Sequence, residues 1–330
     1  MRKMGEKSFC LVIISVFLAI SALAQDDPAA GTGNAWNSKV TSPPVGTTAG
    51  QSRRTGNDPV DDRVELREYL FTDTGEMLPY AVFVSSKVTK DRKAPLVLAL
   101  HGFSGNHGTF MRTQCVDAAE KNGYILVGAM GYSPSGSFGM PMRGLGAPKA
   151  PNGPKPPAKP APDAARKSQP GRGMFMGMGG GPGGTKETDQ AKVVELSEKD
   201  AMNVLKMARE EFNIDENRIY LMGHSLGGGG ALHMGEKYAS IWAGVAGVAP
   251  AAFGFQWSED QKLKNVPLLI IVGEDDTLVT GSQQLAEQLK GLNFHVEYKS
   301  LPGLDHGEII GGSMPDVFRF FNEHTKAGSK

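Results

Sequence analysis

The chain has 330 residues with a hydrophobic content of 40%, enough for one large domain or two small ones with a genuine core. Lys plus Arg and Asp plus Glu balance at 35 each, so no global charge draws the protein to nucleic acid or to an acidic surface. Two cysteines, one of them within the first ten residues, exclude a disulfide-built scaffold.

Arg2, Lys3 and Lys7 precede an apolar run from Phe9 to Ile20, and Ala22-Leu23-Ala24 follows. This order of basic residues, apolar run and small-residue site predicts an export signal over residues 1–24, cleaved before Gln25. An uncleaved membrane anchor is the alternative, but Ser15 and Ser21 interrupt the run and it falls short of the ~20 apolar residues that a span needs. A secreted or periplasmic protein with no stable membrane anchor is expected. Cys115 is then the sole remaining thiol, in a helix-like segment that would bury it.

Residues 25–60 are rich in Gly, Pro, Ser, Thr and Asn, and their composition predicts a flexible linker. The folded domain is expected over 61–330. It opens with alternating segments, Val64 to Phe71 and Leu78 to Val88, around the turn signal Asp73-Thr74-Gly75, which predicts an antiparallel hairpin. Strands and helices then alternate: strand Ala94 to Leu100, helix Thr109 to Asn122, strand Tyr124 to Met130. After a long helix over Asp189 to Phe212 come a strand, Arg218 to Met222, and a helix, Leu226 to Tyr238. Further strands are expected at Trp242 to Ala249, Val266 to Val272 and Phe294 to Leu301, with helices at Ser282 to Leu292 and Pro315 to His324. The rhythm predicts an α/β fold with a mainly parallel sheet covered on both faces.

One stretch breaks it. Residues 133–188 are dense in Pro, Gly, Lys and Met without periodicity, and read as an inserted segment that contributes no core. Eight basic residues (Arg143, Lys149, Lys155, Lys159, Arg166, Lys167, Arg172, Lys186) stand against Asp163 and Glu187, a net charge of plus six.

The chemistry centres on Gly223-His224-Ser225-Leu226-Gly227, a G-x-S-x-G directly after a strand and before a helix. A sharp strand-to-helix turn with small flanking residues holds a serine hydroxyl out at a helix N-terminus, the arrangement of a nucleophile elbow. A phosphate-binding or merely close-packed glycine turn is the alternative. A serine nucleophile needs a base and an acid that orients it, and behind this elbow they follow in the order acid, then histidine. The strand Val266 to Val272 ends in Gly273-Glu274-Asp275-Asp276, at the strand end where ligands collect in parallel sheets. Asp276, deepest in the turn, is the expected acid, with Asp275 the alternative. Among the later histidines, His295 lies in a strand and His324 ends a helix. His306 sits in the loop Pro302 to Gly307 between a strand and a helix, and is the expected base. An oxyanion would receive the backbone N–H of Leu226 and that of Phe103, in the loop His101-Gly102-Phe103-Ser104-Gly105-Asn106. His101 is expected to brace that loop, and His224 and His107 to shape or line the site. Phe103, Phe253, Phe255 and Trp257 are candidates for a pocket wall, although core packing would explain them equally.

With these four motifs in order, the chain resembles the α/β-hydrolase superfamily. The stretch Asn203 to Gly230, with Phe212-Asn213-Ile214-Asp215 and Arg218 to Met222, resembles the secreted esterases grouped with polyhydroxybutyrate depolymerases and feruloyl esterases. That resemblance spans about residues 62–325 apart from the insertion. It implies hydrolysis of carboxylic esters, small or polymeric, through an acyl-enzyme, without metal or organic cofactor. The chain departs from many of those esterases in lacking paired cysteines. Two rival readings stay open: a serine peptidase similar to the prolyl oligopeptidase group, disfavoured by the absence of a propeller-length N-terminal region, and a hydrolase-like protein kept for binding.

Overall fold

The computed structural model describes residues 54–55, 58–134, 136–140, 185–252 and 255–326. The expected signal over 1–24, most of the linker, Phe253 and the bulk of the insertion lie outside these residues. Apart from a two-residue bridge between Arg54–Thr55 and Asp58–Pro59, all strands join one sheet.

In chain order the strands are β1 Glu65–Phe71, β2 Glu76–Val84, β3 Ala94–Leu100, β4 Ile125–Ala129, β5 Ile214–His224, β6 Gly244–Val248, β7 Leu268–Gly273 and β8 Val296–Leu301. Their spatial order is β8-β7-β6-β5-β3-β4-β2-β1. β1 and β2 form the expected antiparallel hairpin, β2 joins β4 antiparallel, and every pairing from β4 through to β8 is parallel. The strands carry side chains buried on both faces. On β3, Leu96, Leu98 and Leu100 face one core cluster while Val97 and Ala99 face the other. This double burial is what a near-continuous apolar strand demands.

Helices α2 (Gln190–Glu211), α3 (Leu226–Lys237) and α4 (Val279–Gly291) cover the first face. Helix α1 (Thr113–Asn122), the short α5 (Ile309–Gly312) and α6 (Met314–Glu323) cover the second. Helix α2 begins where Asp189 caps it, its carboxylate accepting the N–H groups of Ala191 and Lys192. Cys115 is buried on α1, as expected. Among the described residues no helix is long and apolar enough to cross a membrane.

The chain passes from β3 out to β4 and then returns to the other side of β3 as β5, so the order reverses at β3. In open parallel sheets, ligands collect at the C-terminal ends of the strands beside such a reversal. The site lies there.

The first residues assigned to the insertion belong to the core instead. Ser137 and Phe138 are fully buried and Met140 nearly so, with Phe138 packed edge-on against His101. Their glycine-rich surroundings hide this in the sequence, because the burial depends on glycines of another helix. A Cβ on Gly230 would lie 2.9 Å from Phe138 Cβ, and one on Gly229 would lie 2.7 Å from Met140 Sδ. The glycine run that weakens the start of α3 is thereby the surface on which this segment seats.

Candidate active site

The turn from β5 into α3 is built on contact distances. A Cβ on Gly223 would stand 2.0 Å from Gly227 O, and one on Gly227 would stand 2.3 Å from His101 O and 2.4 Å from Leu100 O. Only glycine lets strand and helix close in this way. Between them Ser225 adopts φ 55° and ψ −117°, a conformation that costs a residue with a Cβ on the order of 1–3 kcal/mol. The surrounding backbone holds it there: Ser225 N–H donates to Val248 O at 2.9 Å, and Ser225 O accepts from Ala251 at 2.8 Å and Gly229 at 3.1 Å.

Three side chains from three loops meet at this turn. His306 Nε2 lies 2.9 Å from Ser225 Oγ, and His306 Nδ1 lies 2.7 Å from Asp276 Oδ2. The Asp276 carboxylate is shielded from solvent, and its other oxygen accepts Leu278 N–H at 2.8 Å. As hydrogen-bond acceptor in that position, it fixes the Nδ1–H tautomer and leaves Nε2 with a lone pair facing the hydroxyl. Asp275, the alternative acid, is exposed at the turn, and Glu274 accepts Ser300 Oγ at 3.1 Å. The carboxylate bonded to His306 is that of Asp276.

Gly102, after β3, presses directly on the elbow: a Cβ there would lie 3.1 Å from Ser225 Cβ. The next residue, Phe103, is 51% exposed. Leu226 is the first residue of α3, where N–H groups have no acceptor within the helix. Of the two expected oxyanion donors, Leu226 follows Ser225 in the chain and Phe103 follows the glycine packed on it.

His224 has a task that its sequence position did not reveal. It is buried, and its Nε2 donates to His306 O at 2.7 Å while its ring lies 4.5 Å from the His306 ring. Burial, reinforced by the neighbouring His306, pushes its pKa down to about 3, so it stays neutral and keeps this donor. His101 is buried with its ring nitrogens 2.7 Å from Gly102 O and Met130 O, the expected brace of the loop. His107 is held neutral by burial, its pKa near 4, and its carbonyl would meet a Cβ on Gly128 of β4 at 2.1 Å. His295 and His324 pair with each other, ring centroids 5.7 Å apart, at the opposite end of β8 from His306.

A cavity of about 240 Å³ has Pro250, Ala252, Phe255, Trp257, Leu278 and Leu285 among its walls, and none of Ser225, Asp276 and His306. Leu278 is the residue anchored to Asp276, and Pro250 precedes the residue bonded to Ser225 O. Phe255 and Trp257 stack at 5.0 Å, and Trp257 meets Phe294 edge-on at 6.1 Å. The two aromatics therefore serve both as cavity wall and as core contact.

A family model described as PET hydrolase-like matches residues 184–290, a stretch that includes Ser225 and Asp276. The sequence matches none of the curated proteins with which it was compared. Solved structures do align. A thermostable esterase is 19% identical with a TM-score of 0.51, over 81% of this chain and 64% of that one, so the chain spans under two thirds of its length. The fluorophosphonate-binding serine hydrolase FphF of Staphylococcus aureus is 13% identical with a TM-score of 0.53, over 78% of this chain and 97% of that one. A CE1 ferulic acid esterase from Anaeromyces mucronatus is 16% identical with a TM-score of 0.52, over 79% and 90%. With the sheet order above, these likenesses establish the α/β-hydrolase fold.

Proposed function

We propose that this protein is an exported serine hydrolase that cleaves carboxylic esters through an acyl-enzyme, with Ser225 as nucleophile, His306 as base and Asp276 as the orienting acid. The observation that carries the reading is the unbroken hydrogen-bonded line from Asp276 through His306 to Ser225 Oγ on a strained elbow. The PET hydrolase-like match and the esterase names among the structural neighbours support esters as the substrate class.

Each step follows from a named group. Ser225 Oγ attacks the ester carbonyl carbon as His306 Nε2 takes its proton. Negative charge then develops on the carbonyl oxygen, which receives the N–H groups of Phe103 and Leu226; one such donor is worth roughly 10²–10³ in rate. Asp276 stabilises the imidazolium that has formed. Collapse breaks the bond to the alcohol, which leaves with the proton from His306, and the acyl group stays on Ser225. Water, deprotonated by the same nitrogen, attacks the acyl carbon, and the acid departs as Ser225 recovers its proton. His224, bonded to the His306 carbonyl, keeps the base from swinging away between the two half-reactions.

The test is hydrolysis of p-nitrophenyl esters of increasing acyl length beside a panel of peptide anilides, using protein collected from the culture medium with its N-terminal mass determined. Ester turnover, lost by at least roughly 10⁴-fold in Ser225→Ala, and a chain starting at Gln25 are expected. Anilide cleavage without ester cleavage would move the assignment to a peptidase. A folded protein inert to both would overturn the enzyme reading.

A further inference from the structure

Asp200 has no part in the chemistry above, yet its carboxylate is fully buried in the middle of α2. A buried carboxylate is tolerated only where donors surround it. Oδ1 accepts the Tyr69 hydroxyl at 2.6 Å, and Oδ2 accepts the N–H of Gly131 at 2.6 Å and of Tyr132 at 3.4 Å. Two successive N–H groups converging on one oxygen form the kind of backbone concavity that binds anions; here the anion is the protein's own. The conformation needs that partner, since both residues have positive φ, 69° for Gly131 and 60° for Tyr132, and the second carries a Cβ.

This loop after β4 is also the shelf on which the loop after β3 rests. Met130 O lies 2.7 Å from His101 Nε2, and Pro134 O accepts Ser104 N–H at 2.8 Å. Ser104 is itself left-handed, at φ 61°. Between those two anchors stand Gly102, packed on Ser225, and Phe103. Asp200 therefore grips the middle of the shelf, and residues 101 and 104 hang from its two ends.

We propose that Asp200 is a positioning residue for the oxyanion loop: its carboxylate fixes residues 130–134, and through them aims Phe103 N–H at the oxygen that develops charge above Ser225. The inference rests on the ester hydrolase reading. A donor of this kind works only when it is held in place before the reaction, so a shelf that loosens costs rate and leaves substrate affinity alone. A carboxylate that served only to knit α2 to the sheet would lower the melting temperature and leave turnover intact.

The experiment compares wild type with Asp200→Asn, an isosteric change that keeps one acceptor oxygen. The readouts are kcat and KM for p-nitrophenyl butyrate, and inhibition by butylboronic acid, whose tetrahedral serine adduct presents an oxygen to the same donors. Expected is a fall in kcat of tenfold or more with KM within twofold, and a boronate inhibition constant that rises with the fall in kcat. A folded variant whose kcat falls less than tenfold would overturn the proposal, and so would a larger fall with unchanged boronate inhibition. Should Asp200→Asn fail to fold, Tyr69→Phe removes the hydroxyl that steadies the carboxylate, and must show the same parallel change at threefold or more. Wild-type protein without ester turnover would sink the parent reading and this one together; wild-type turnover with an unaffected variant would sink this one alone.

Discussion

Two buried carboxylates on α2 respond to acid in opposite senses. Burial would raise the pKa of Glu198, but His233 Nε2, Lys237 Nζ and the Tyr238 hydroxyl donate to it and hold it at about 2 instead of 4.5. The native state thus binds that proton more weakly than the unfolded chain. The stabilisation is full above about pH 4.5 and is lost as pH falls toward 2, amounting to about 3 kcal/mol at most. For Asp200 burial prevails over the donors and pushes the pKa up to about 6. There the native state holds a proton that the unfolded chain has released, so ionisation costs stability between about pH 4 and pH 6, the expected expense of keeping a charge under the oxyanion loop. The stability gap between wild type and Glu198→Gln, measured by urea unfolding, should therefore be largest near pH 7 and close between pH 4.5 and 2. A gap that stays constant with pH would show that Glu198 contributes only packing. Neither residue stood out in the sequence, because a carboxylate in a charged helix reads as solvated face until the fold shows which side is buried. Ser225, Asp276 and His306 were legible for the opposite reason: each sits at a strand end, and strand ends are where this chain writes its turns.

At the scale of elements, the glycines separate into those set by contact and those that are not. Gly227 has the backbone oxygens of Leu100 and His101 within 2.4 Å of where a Cβ would stand, whereas a Cβ on Gly291, the last residue of α4, would meet nothing within 4 Å. Gly227→Ala should cost about 3 kcal/mol or more, or prevent folding, because the backbone at the end of β3 must move. Gly291→Ala should raise stability by about 0.5 kcal/mol through helix propensity. Denaturant midpoints check both; equal effects at the two positions would mean that the elbow is looser than its distances imply. The strands and helices themselves were readable to within a few residues, since buried parallel strands and amphipathic helices carry strong periodic signals. Several boundaries were not. β5 begins at Ile214, four residues ahead of the expected Arg218, through the polar stretch Asp215-Glu216-Asn217, and β2 begins at Glu76 instead of Leu78 and ends at Val84 instead of Val88. Polar strand ends that extend beyond the core carry no apolar pattern to announce them. The packing of residues 136–140 on α3 was likewise invisible, because it depends on glycines ninety positions away in the chain.

For the molecule as a whole, the central strand waits longest for its partner. Leu96 of β3 pairs with Ile219 of β5, and residues 141–184 lie between them along the chain. Gly139 N–H donates to Val194 O, so the described residues on either side of that stretch meet. The time needed to assemble the sheet is then set by how far apart in sequence its middle strands are, more than by how firmly they finally hold. Replacing residues 141–184 with a short Gly-Ser linker should make refolding roughly twofold faster through the shorter closure, with the unfolding rate unchanged. Stopped-flow fluorescence of the buried Trp242 would follow both rates, and an unaltered refolding rate would place the slow step elsewhere in the sheet. A polypeptide whose middle pairs late remains unfinished while its first half is already made, and such a chain can still be threaded through a narrow pore long after synthesis has begun.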